Sequence, residues 1–152
     1  MRIVLIAVLL IFTLSYIVNA QFTCSEQEVF EIDRIKHEIE TSLFNANDIK
    51  VKLETGENLQ AFYVNGKLVK ISVDNEEPFM IAELFFGDGF IRHISAEVQK
   101  EGKLQSCYLY FRDDILICYE NTEQKNVIDG ELYKIAEMKW LKNVEKYLQA
   151  IQ

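Results

Sequence analysis

The sequence predicts an α+β fold: an N-terminal helix, an antiparallel β-meander of about six or seven strands, and a C-terminal helix packed on the sheet. Three observations lead there. Apolar residues recur at steps of three and four near both ends of the chain. Between them the period changes to two, and Asn65-Gly66 separates two apolar runs, the strongest short hairpin signal. That hairpin is then echoed twice.

The first helix opens at Ser25-Glu26-Gln27-Glu28, a capping box in which Ser25 caps Glu28 and Glu28 reaches back. Val29, Ile32, Ile35, Ile39 and Leu43 form its apolar stripe, with Asp33, Lys36 and Glu40 off it. Asn45 to Asp48 ends it. Ile49, Val51 and Leu53 alternate with Lys50 and Lys52, as in a half-buried strand, and Thr55 to Asn58 make a turn. The hairpin 59–73 follows. Its unit Phe62-Tyr63-Val64-Asn65-Gly66-Lys67-Leu68 returns as Phe85-Phe86-Gly87-Asp88-Gly89-Phe90-Ile91 and as Tyr110-Phe111-Arg112-Asp113-Asp114-Ile115-Leu116. Each unit is an aromatic pair, a tight polar turn and a strand of Ile, Leu or Val, as in successive hairpins of a meander, with Gly102 in a turn between the last two. Residues 107–111 and 115–119 are apolar on both faces, which predicts central, doubly covered strands. Asp129-Gly130 starts the last helix. Its stripe is Leu132, Ile135, Leu141, Val144, Leu148 and Ile151, with Tyr133, Trp140 and Tyr147 on the flank.

The first twenty residues read as a cleavable signal peptide. Arg2 is their only charge, an apolar run of about 16 residues follows, and Val18-Asn19-Ala20 ends it. The run is short of the roughly 20 residues a spanning helix needs. The expectation is cleavage after Ala20, a secreted or periplasmic location, no stable membrane insertion afterwards, and a single domain over 21–152. Removing the segment takes away one base and no acid, so the net charge of −8 becomes −9. Such a domain repels a phosphate backbone, which argues against nucleic acid as a partner.

Three cysteines leave at least one unpaired in a monomer. A turn at Arg112-Asp113 sets Cys107 opposite Cys118, where a disulfide is geometrically possible. A turn at Asp113-Asp114 sets them diagonally, too far for an unstrained bond. Cys24, near the first helix cap, joins either strand cysteine in a third arrangement. An oxidising compartment favours some bond.

No pattern here specifies catalysis, a cofactor or a metal. His37-Glu38 begins H-E-x-x-H, but position 41 is Thr. Asp33 and His37 share a helix face, yet two ligands fall short of a zinc site. His93 reads as an ordinary strand residue. Gly87-Asp88-Gly89 lacks the third glycine of a nucleotide loop and lies between strands. Cys107 and Cys118 lie in strands that read as buried, where a thiol is inert. The functional colour lies in the aromatic residues: Tyr63, Tyr108, Tyr110 and Trp140 are the candidate contacts for a partner or ligand.

The units Tyr63 to Ile71 and Tyr108 to Leu116, within residues 59–121, resemble a pattern in exported bacteroidete-type small proteins. Those have repeated aromatic–turn–Lys-Leu-Ile hairpins after a signal peptide and a first helix. Gly87 to Phe90 and Asp113 to Ile115 depart from the Asn-Gly-Lys-Leu form. The resemblance implies a location outside the cytoplasm and this architecture, and carries over no catalytic residue. The leading expectation is a non-catalytic binding module for an unknown protein partner, acting through a sheet face or edge. A carrier of a small apolar ligand between sheet and helix comes second, and a hydrolase using carboxylates third.

Overall fold

The computed structural model describes residues 24–122 and 130–152, without the side chains of Lys100 and Leu132. The signal-peptide reading of 1–20 and the helix start at Asp129 lie outside the described residues. The elements run α1 (Glu26–Ser42), a 3-10 turn (Leu43–Asn45), β1 (Asn47–Lys52), β2 (Asn58–Val64), β3 (Lys67–Glu76), β4 (Phe79–Gly87), β5 (Phe90–Lys100), β6 (Lys103–Arg112), β7 (Ile115–Asn121) and α2 (Gly130–Ala150). The seven strands form one sheet in chain order, every neighbouring pair antiparallel. This is the α+β meander that the sequence predicts.

In α1, Ser25 Oγ accepts a hydrogen bond from the Glu28 N–H at 3.5 Å. The box closes only halfway, because the Glu28 carboxylate instead takes the guanidinium of Arg112 at the end of β6. Ile32 and Ile39 are buried, and Val29 and Ile35 half-buried, so the expected stripe is the one that meets the sheet.

The three echoed units are three hairpins of one design. In each, both turn residues have positive φ: Asn65 and Gly66, Asp88 and Gly89, Asp113 and Asp114. That conformation suits a two-residue turn matched to strand twist. In each, the register then shifts inside the aromatic pair, at Phe62/Tyr63, Phe85/Phe86 and Tyr110/Phe111. The pairing leaves one extra residue on each return strand: Val69, Arg92 and Ile117. Such a bulge strengthens the local strand twist, and it recurs at the same place in all three hairpins. Neighbouring turns are also tied together: the Ile91 N–H donates to Asp114 Oδ1 at 3.1 Å.

One face of the sheet, with Leu59, Ala61, Ile71, Val73, Leu84, Ile94, Leu109 and Phe111, makes the main core under α2. The helix presents Trp140, Val144 and Tyr147 to that face, all buried, while Ile135 is half exposed. The aromatic row expected on the flank is therefore central, and the predicted stripe is rotated. Broad rings fill the gap between helix and sheet better than branched aliphatics do, although the buried Tyr147 hydroxyl has no hydrogen-bond partner among the described residues. The Tyr133 hydroxyl donates to the Leu116 carbonyl, and Glu137 Oε1 accepts the Leu116 N–H at 2.9 Å. These bonds also correct the place of β7. It is an edge strand rather than a central one, and it is apolar on both sides because α2 and the start of α1 flank it.

Cys24 and Cys118 form a disulfide with Cα atoms 5.2 Å apart, and Cys107 is free and buried. A Cys107–Cys118 bond is absent for a reason of register. The turn falls at Asp113-Asp114, Cys118 pairs with Tyr110, and Cys107 pairs with Asn121. The shift at Tyr110/Phe111 leaves the two cysteines on opposite faces. Burial pushes the Cys107 thiol up to about 11, so it stays protonated.

Candidate functional site

The face opposite the main core is built in rows that the register writes out. The first row runs Asp48, Phe62, Lys70, Phe85, His93, Tyr110, Cys118 from β1 to β7. Its central and β7-side members lie under α1 and the disulfide. Each hairpin unit contributes its first aromatic and the residue after the extra one: Phe62 with Lys70, Phe85 with His93, Tyr110 with Cys118.

This row holds an unusual buried polar group. His93 is 1% exposed, and its Nδ1 has no hydrogen-bond partner among the described residues. Its ring lies 4.8 Å from that of Tyr110, 5.8 Å from Phe85 and 6.3 Å from Tyr108, centroid to centroid. Burial, with a smaller push from the Lys36 ammonium, lowers its pKa to about 3, so the ring is neutral at physiological pH. The Lys70 Nζ, of a residue 7% exposed, lies 5.1 Å from the Phe85 ring centroid and pairs with Glu83 at 2.5 Å. Lys36 of α1 lies 5.4 Å from the same ring. Burial raises the Asp33 carboxyl despite Lys36, and burial with the nearby Asp33 and Glu120 carboxylates raises the Tyr110 hydroxyl.

The second row runs Lys50, Gln60, Ser72, Glu83, Ser95, Tyr108, Glu120, and the third Lys52, Asn58, Asp74, Ile81, Glu97, Ser106. These rows lie beyond α1. All their members are exposed or half-buried. Across β1 to β4 they floor an open trough of about 680 Å³. Asp74 and Asn58 approach at 3.5 Å, and Gln60 donates to Asp48 at 2.8 Å, so part of the floor is held by its own hydrogen bonds.

The candidate contact residues separate. Tyr108 is 39% exposed in the second row. Tyr110 is sealed beneath α1, Trp140 is in the main core, and Tyr63 is half-buried against that core. Tyr63 and Trp140 thus lie on the face opposite Tyr108, and the four do not form one site. His37 and Asp33 are exposed on α1, the Asp33 carboxyl being only partly desolvated. Among the described residues the ligand-type groups that converge are Cys24, Cys118 and Glu120, within 4.8 Å, but both sulfurs are engaged in the disulfide. Sequence reasoning missed His93. The only signal was its position, eight residues after an aromatic, matching Lys70 and Cys118 in the sister units. Two apolar grooves, of about 380 and 440 Å³, open between the C-terminal half of α2 and the turns, lined in part by Phe86, Ile91, Leu141 and Leu148.

No protein-family profile, curated protein or solved structure matches the chain. The disulfide is compatible with an oxidising compartment, and no helix among the described residues is long and apolar enough to cross a membrane.

Proposed function

We propose that the protein is an exported, non-catalytic binding module that takes its partner on the uncovered half of the polar sheet face. The observation that carries this reading is the mismatch in cover. The central part of the first row is under α1, whereas the second and third rows continue the same sheet into solvent as an array of amide, hydroxyl, carboxylate and ammonium groups. A rigid sheet presents such groups with little ordering cost on binding. Tyr108 supplies an amphipathic ring beside them. The chain's signal-like start supports delivery outside the cytoplasm. The test is an amide-resolved NMR titration with panels of soluble peptides and oligosaccharides. Shifts are expected around Ser72, Glu83, Ser95 and Tyr108. Ser72→Arg with Ser95→Arg is expected to weaken the detected interaction at least tenfold, roughly 1.4 kcal/mol. Shifts clustered elsewhere, or affinity unchanged in that double variant, would rule the reading out.

A second reading rests on the grooves beside α2: carriage of a small apolar ligand between helix and sheet. Leu148→Lys places a charge in both. It is expected to abolish saturable binding of a fluorescent fatty-acid probe, and absence of such binding by the unsubstituted protein removes this reading.

A further inference from the structure

The two edges of the sheet are treated differently. At β7 the outward N–H and C=O of Leu116 are taken by Glu137 and Tyr133 of α2. At β1 the outer edge carries no hydrogen-bonded neighbour among the described residues, and its pairing with β2 runs without a shift. A straight, uncovered edge strand is a template for another strand. Ile49, on the core-facing side of β1, is 46% exposed. Among the described residues neither Lys50 nor Lys52 forms an ion pair.

We infer that β1 is a homodimerisation edge, pairing antiparallel with β1 of a second copy about a two-fold axis through Ile49. The strand's own charge pattern selects this partner and this register. Antiparallel pairing joins residues that share a face, so a two-fold pairing of β1 with itself must centre on a residue. Centred on Asp48 it sets Asp48 against Asp48. Centred on Lys50 it sets Lys50 against Lys50, although Asp48 then meets Lys52 twice. Centred on Val51 it sets Lys50 against Lys52 twice. Like charges directly opposite are unfavourable. Centred on Ile49, it sets Asp48 against Lys50 of the second copy twice, Ile49 against Ile49, and Asn47 against Val51. This is the one central register that has both charge pairs complementary and the exposed isoleucine covered. It extends each sheet into its copy and brings the two troughs side by side, because Lys50 and Lys52 border them. The lysines of β1 can also be read as deterrents that keep the edge single. The two readings differ in a measurable way.

The test is sedimentation equilibrium of the purified full domain near physiological ionic strength, at concentrations up to roughly 1 mM, where a weak dimer is visible. A concentration-dependent dimer is expected. Asp48→Lys and Lys50→Asp are each expected to weaken it at least tenfold, since either puts two like-charged pairs across the axis. Mixing the two single variants is expected to restore association as a heterodimer, and the double variant D48K/K50D to restore the homodimer. Both positions are exposed, and circular dichroism checks that each variant is folded. A protein that stays monomeric throughout overturns the inference. So does a dimer indifferent to both reversals, or single variants that do not associate when mixed.

Discussion

Replacing Cys24 and Cys118 together by alanine is expected to cost about 4–5 kcal/mol of stability. The bond closes a loop of 94 residues, and the chain-entropy cost removed from the unfolded state grows with the logarithm of that length. With a urea dependence of about 1.5 kcal/mol per molar, the unfolding midpoint falls by roughly 3 M. The folded state loses something as well. The bond pins the start of α1 to β7, and among the described residues the Glu28–Arg112 ion pair and the packing of Val29 and Ile32 near Tyr110 fasten the same end of the helix to the sheet. Row residues beneath α1 should therefore exchange their amide hydrogens faster in the variant than those under α2. A urea midpoint within experimental scatter of the parent protein would show that neither effect operates.

Acidification below neutrality is expected to destabilise the fold through His93, well before most carboxylates protonate. The ring is held neutral in the folded protein, with its pKa lowered from 6.5 to about 3. In the unfolded chain it titrates near 6.5. Between those values the unfolded state binds more protons, so stability is complete above about pH 6.5 and falls as pH drops toward 3. The linkage is worth about 2 kcal/mol at pH 5. Asp33, whose carboxyl is raised by burial, acts in the opposite direction. His93→Phe isolates the contribution: whatever it does at pH 7.5, its stability should be nearly flat from pH 7.5 to 5 while the parent's declines. Parallel pH curves for the two proteins would mean that His93 takes up its proton in the folded state.

Much of this architecture was legible because it is local. The stripe Val29 to Leu43, the Asn65-Gly66 turn and its two echoes each declare themselves within about ten residues, and each became the predicted element. What was not legible depends on distant partners. Only the register shift within each aromatic pair shows that Cys107 and Cys118 face apart, and no local pattern announces such a shift. The rotation of α2 is set by how Trp140 and Tyr147 fit the sheet, which outweighs a stripe counted from aliphatics. His93 looked ordinary because its burial comes from α1, more than fifty residues earlier in the chain. The candidate face was hidden for the same reason. Where the open rows begin depends on where α1 stops covering them, and that is a matter of docking rather than of strand pattern.

The chain order of the strands has a kinetic consequence. Each strand pairs only with those just before and after it, so no segment must wait for a distant one before it can bond. Such local topologies fold quickly. A chain delivered N-terminus first, from a ribosome or through a translocation pore, can add hairpins as they emerge. Cys118 belongs to the last strand, so its bond to Cys24 can close only once all seven have arrived. The covalent clasp is thus a stamp of completion, set after the sheet is built rather than before.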